Sequence, residues 1–178
     1  MILTVEELKS QVDCGDMTDD VIKSRLTAIE GVIRAYTHNN FQNRNIRFVA
    51  ESTNGDQIQN KTDFLKEGDT IQITASLVND GFYTIVAITD EYITVDREIY
   101  GVPNNKVTKI EYPPDVVQCA VDLFEWKHKF GSKVGIKSES ETLSRHSESV
   151  TYEDSATLFM GYPRGILNGL SLHMKARF

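Results

Sequence analysis

The feature that most constrains this chain is a change in hydrophobic period that happens twice. Up to about residue 42 the apolar residues recur at helical spacing; from about Asn43 to Tyr112 they recur every second residue; after Pro113 the helical spacing returns. A helix-period segment cannot bury its apolar stripe as a strand, and a period-two segment cannot do so as a helix. The chain therefore needs two kinds of core, one helical and one of sheet.

The first helical segment opens at Thr4, with Glu7 completing a T-x-x-E capping box and Leu3 and Leu8 placed as a hydrophobic staple. It carries Val5, Leu8 and Val12 and stops near Gly15. Thr18 opens a longer helix with Asp19 and Asp20 in its first turn, where the helix dipole favours negative charge. Its stripe is Ile22, Leu26, Ile29, Ile33 and Tyr36, and it ends around Thr37–Asn40. Strands are expected at 46–50, 70–75, 82–88, 92–95 and 106–110, punctuated by Gly68-Asp69, by the turn signal Asn79-Asp80-Gly81, and by Pro103-Asn104-Asn105. Pro113-Pro114-Asp115 starts a return helix with Val117, Ala120, Val121, Phe124 and His128 on one face, ending near Gly131. Residues 132–155 are rich in Ser and Glu and bury too little to offset the entropy of ordering, so they are expected to form an extended arm. The end of the chain is apolar again.

This pattern predicts an α+β fold: a helical bundle of about three main helices with an inserted small antiparallel β barrel or sandwich and an extended C-terminal arm. The expected domains are 1–42 with 113–134 (helical), 43–112 (β), and 135–178 (arm and docking segment).

Charge narrows the function. The net charge is −7. Residues 1–43 hold 4 basic and 7 acidic groups, residues 44–112 hold 7 and 11, and residues 113–178 hold 8 and 8. A dedicated nucleic-acid binder needs a basic face that releases counterions from phosphates, and the chain as a whole has none. Cys14 and Cys119 sit far apart without a CxxC or Cys/His cluster, which predicts two reduced, packed thiols. Met1–Glu7 shows no basic region leading into an apolar core, and no apolar run approaches the ~20 residues of a membrane span. The expectation is synthesis in the cytoplasm, with no membrane association.

Motifs for chemistry do not emerge. His38, His128, His146 and His173 lack partners at i+3 or i+4, and no GxSxG, P-loop or GxGxxG occurs. Asp19-Asp20 could be imagined as a paired-carboxylate metal site, but adjacent helical positions point about 100° apart and do not converge. No enzyme activity and no cofactor is expected. Lys127, Lys129, Lys133 and Lys137 form a loose basic run near Trp126 and Phe130. The run fits contact with nucleic-acid phosphate or an acidic partner, but a solvated helix end complementing the dipole is the simpler reading. Tyr162, Ile166, Leu167 and Leu170 either cover the chain's own core or dock onto another subunit.

The order of these segments resembles the head–tail connector (adaptor) proteins of long-tailed bacteriophages. The resemblance rests on three stretches: the short capped helix, turn and long apolar helix from Leu3 to Tyr36; Pro113-Pro114-Asp115-Val116-Val117-Gln118-Cys119-Ala120 followed by Gly135-Ile136-Lys137-Ser138-Glu139-Ser140; and Ser147-Glu148-Ser149-Val150-Thr151-Tyr152 before a terminal apolar segment. It covers a little over half the chain and departs at the β region, since the simplest members join their helices by a short loop. It implies a virion component of the neck: a homo-oligomeric ring of about twelve copies beneath the portal protein. The ring would contact the next neck or tail-completion protein and pass double-stranded DNA without binding it specifically. Under this resemblance residues 156–178 engage the portal, with Tyr162, Ile166, Leu167 and Leu170 as apolar anchors and Arg164, Lys175 and Arg177 as charged contacts. Truncation after Asp154 is then expected to abolish portal binding and leave the fold intact. The alternatives are another neck or tail-completion protein, or a nucleic-acid-binding accessory built on the β region. Tyr83, Tyr92 and Tyr100 lie among acids there, which disfavours the accessory.

Overall fold

The computed structural model describes residues 1–53, 55–59, 63–131 and 158–176, and the backbone of 138–143 and 146–151. The chain divides into two compact units: residues 1–4 with 40–113, and residues 5–39 with 114–178.

The first unit is a closed antiparallel barrel. Its strands are β1 (Gln42–Ser52), β2 (Gly55–Gln59), β3 (Thr70–Thr74), β4 (Gly81–Ile88), β5 (Tyr92–Ile99) and β6 (Val102–Ile110). They close in the order β1-β2-β5-β4-β3-β6, with β6 returning to pair with β1. Alternation explains the lining. Ile71 and Ile73, Tyr83 and Ile85, and Ile93 and Val95 each point one face of a strand inward, where Ala50, Ile58, Leu65, Ile99 and Val107 join them. Each fully buried isoleucine contributes roughly 2 kcal/mol of transfer free energy. Register shifts in β1, between Asn43 and Arg47 and again between Ala50 and Ser52, bend that long strand. Bulges of this kind give a short sheet the curvature to close on itself.

The second unit is helical. It contains α1 (Val5–Lys9), α2 (Asp19–Thr37) and α3 (Pro114–Phe130). Ile22, Leu26, Ile29 and Ile33 of α2 and Val116, Ala120, Leu123 and Phe124 of α3 are fully buried, and α2 packs on α3. The hairpin β7 (Ser138–Leu143) and β8 (His146–Thr151) follows, then the two-residue strands β9 (Leu158–Phe159) and β10 (Tyr162–Pro163), the single turn α4 (Arg164–Leu167), and a 3₁₀ helix, Asn168–His173.

The expected fold class is therefore corrected. The chain is not a helical bundle carrying a small β barrel or sandwich: a closed six-stranded barrel is its largest element, accompanied by short helices. Two physical reasons account for the difference. The opening helix is a single five-residue turn, too short to act as a bundle member. Within the segment expected as an extended arm, 138–143 folds back to pair with 146–151.

Candidate functional site

The terminal segment is the first place to test for a docking site. Met160 and Gly161 both have positive φ, 50° and 81°, which makes a tight turn joining β9 to β10. The turn brings Tyr162 over α3. Its ring lies 6.2 Å from Trp126 and 5.5 Å from the Lys127 ammonium, and burial pushes its hydroxyl above the usual phenol range. Leu167 and Leu170 follow on the coiled stretch and are fully buried. The stretch packs on both α2 and α3.

Polar contacts lock this packing. Tyr36 donates from its hydroxyl to Asn168 Oδ1 at 3.0 Å, and Asn39 Nδ2 donates to the His173 carbonyl at 3.1 Å. His173 Nε2 meets Asp115 Oδ2 at 2.6 Å; the bond from His173 holds the Asp115 carboxyl below the usual carboxylate range. The Cys119 thiol points at the Ile166 carbonyl, 3.8 Å away, and burial pushes its pKa up to about 12.

Tyr162, Leu167 and Leu170, three of the four expected portal anchors, are thus packed inside their own unit and cannot be presented to a partner without unfolding it. Ile166 is half-buried, and Arg164 and Lys175 are exposed. Arg164 sits over the Phe159 ring at 5.8 Å. Arg177 lies outside the described residues. The surface this segment does offer includes Leu172, 91% exposed, and Met174. In the basic run, Lys129 pairs with Glu125 at 2.5 Å and Lys127 covers Tyr162; Lys133 and Lys137 lie outside the described residues. Asp19 is not half of a metal site: its carboxylate pairs with Lys9 Nζ at 2.6 Å, a bond that holds it below the usual carboxylate range. Among the described residues no three His, Cys, Asp or Glu side chains converge to hold a metal, and no helix is long and apolar enough to cross a membrane.

The barrel holds an arrangement that residue spacing did not signal. Asn79, expected as a turn residue, is buried at the centre of a polar network. Its Nδ2 donates to the Tyr100 carbonyl at 2.8 Å, Asn105 Oδ1 at 3.2 Å and Ser52 Oγ at 3.3 Å. Its Oδ1 accepts from the Tyr100 amide at 2.9 Å, and its carbonyl accepts from the Tyr83 hydroxyl at 2.9 Å. Asn105 Nδ2 also donates to Ser52 Oγ at 3.0 Å. Three connections are joined in this way: the β1–β2 turn, the 75–80 loop and the β5–β6 turn. The loop is further fixed by the Ser76 amide donating to Asp80 Oδ1 at 2.8 Å. Beside the network a cleft of about 500 Å³ is lined by Gly55, Glu98, Ile99 and Tyr100. Among the described lining residues it holds one carboxylate, that of Glu98.

No protein-family model and no curated protein matches this sequence.

Proposed function

We propose that this chain is a structural subunit of a bacteriophage neck, forming a ring beneath the portal that joins head to tail and extends the DNA channel. The supporting observation is the order of the three stretches that resemble connector proteins, Leu3 to Tyr36, Pro113 to Ser140 and Ser147 to Tyr152. Two physical features agree with it. The acidic balance suits a passage through which DNA slides, since a basic lining would hold it. Exposed apolar side chains stand on both units, Leu77 and Tyr100 on the barrel and Leu172 and Met174 on the helical unit, as a subunit with more than one neighbour requires. Within this reading the portal-facing part of the terminal segment is its exposed edge (Arg164, Leu172, Met174 and Lys175) and not its buried anchors.

The test is electron microscopy of particles made when the gene is deleted from its parent phage. DNA-filled or leaking heads separated from complete tails are the expected result. Normal intact virions would overturn the reading.

A further inference from the structure

The cleft of about 500 Å³ beside the Asn79 network is lined by four residues with separate roles. Ile99, 5% exposed, gives it an apolar floor. Gly55 is the ladder partner of Ile99 on β2 and has φ of 125°; a Cβ there would meet no atom within 4 Å, so this wall stays low and open. Tyr100 is 68% exposed, yet its backbone is fixed: its amide donates to Asn79 Oδ1 at 2.9 Å and its carbonyl accepts from Asn79 Nδ2 at 2.8 Å. An aromatic side chain is carried there on an anchored backbone. Glu98 supplies the charge. It is exposed, and among the described residues no hydrogen bond or ion pair engages its carboxylate. Its chain neighbour Arg97 does not neutralise it, because adjacent strand residues point to opposite faces. The Arg97 guanidinium donates instead to the Phe82 carbonyl, lies 4.6 Å from the centre of the Tyr83 ring and meets Asp96 at 4.0 Å. Lys106 sits in the ladder between Val49 of β1 and Thr74 of β3, strands that supply none of these four residues.

We infer that this cleft binds a primary ammonium on an alkyl stem, the chemistry of a lysine side chain. Three requirements of such a group meet there. The carboxylate of Glu98 pairs the charge through a charge-assisted hydrogen bond. The aromatic beside it attracts a cation through its ring face. The Ile99 floor receives the methylenes behind the charge, as apolar surface does for the stem of a lysine. An anion would be repelled by Glu98, and a neutral apolar group would strip water from the carboxylate without replacing it. The inference is independent of the neck reading. The ammonium can come from a free alkylamine or from a lysine on another protein.

Nitrogen-resolved NMR titration of the full chain tests this with three probes. They are Nα-acetyl-lysine methylamide, butylammonium chloride, and Nα-acetyl-norleucine methylamide, which keeps the lysine stem without its charge. The amides of Gly55, Ile99 and Tyr100 should shift saturably with the lysine probe, with a Kd of about 1–10 mM for a single small group. Added salt should weaken that binding. Glu98→Gln should weaken it by about tenfold or more, and Tyr100→Ala, which keeps the backbone bonds to Asn79, by roughly threefold to tenfold. The spectrum of each variant away from the cleft should match wild type, which separates loss of the site from loss of the fold. Butylammonium binding as tightly as the lysine probe would support the inference with free alkylamines as the source; tighter binding of the lysine probe would support it with a protein side chain. Norleucine methylamide binding as tightly as the lysine probe would overturn it. Unchanged affinity in Glu98→Gln, or no saturable shift with either ammonium, would overturn it as well.

Discussion

The Lys175 amide donates a hydrogen bond to the Thr37 carbonyl at 2.8 Å. The end of the described chain thereby satisfies a carbonyl in the last turn of α2, whose own ladder has run out there. Residues 158–175 also bring Tyr162, Leu167 and Leu170 into the helical core. Truncation after Asp154 should therefore unfold or loosen the helical unit, contrary to the sequence expectation of an intact fold. Leu170→Ala alone should cost about 2–4 kcal/mol, measured by urea unfolding followed through Trp126 fluorescence.

Asn79→Ala should be costly for a different reason. It leaves the Tyr100 amide and carbonyl, Asn105 and Ser52 without a shared buried partner. A loss of about 2–4 kcal/mol is expected, read as faster hydrogen exchange at the Tyr100 amide. Unchanged exchange at Tyr100 would show that the network does not hold the three turns together.

The Asp115–His173 contact gives a pH dependence with a definite sign. The folded carboxyl titrates below its usual range because of His173. Its contribution to stability is present above the ordinary carboxylate pKa and fades as pH falls through the depressed folded value. His173→Ala should move the Asp115 titration back up toward the ordinary range in a carbon-detected NMR titration, and should flatten the acid-side decline.

Cys119 should be silent toward thiol reagents. With a pKa of about 12, its thiolate fraction at pH 8 is roughly one in ten thousand. Cys14 is also buried, and burial raises its pKa as well. Maleimide labelling should be slow in the folded chain and rapid for both cysteines in denaturant. Fast labelling of Cys119 in the native protein would mean that the terminal segment opens readily.

Gly161→Ala should cost about 1 kcal/mol through its backbone alone. The glycine has φ of 81°, and a Cβ there meets no atom within 4 Å. Thermal unfolding against wild type measures the loss.

The elements most legible in the sequence were those with strong local period. Ile22, Leu26, Ile29 and Ile33 mark α2 and lie fully buried on it, and Ile71 and Ile73 mark β3. By contrast, β2 was not legible. Gly55-Asp56-Gln57-Ile58-Gln59 has one apolar residue, and its strand exists because β1 and β5 supply partners on either side. The closure of the barrel was equally hidden, because it depends on β1 meeting β6 across some sixty residues. For the terminal segment the sequence left self-packing and docking both open, because its own composition does not reveal the α2–α3 surface that receives it. Asn79-Asp80-Gly81 carries a turn signal, and β4 does start at Gly81. Nothing in that tripeptide shows that the asparagine is buried or that the leucine two residues before it is bare.

Gln42 and Ile110 face each other as ladder partners, and the Glu111 amide donates to the Phe41 carbonyl at 2.9 Å. The chain therefore leaves the barrel beside the point where it came in, about one strand spacing away. Evolution can treat such a module as a cassette: a linker of a few residues can close the gap where it is excised, and a different module can be spliced between the same two flanks without re-routing the rest of the chain.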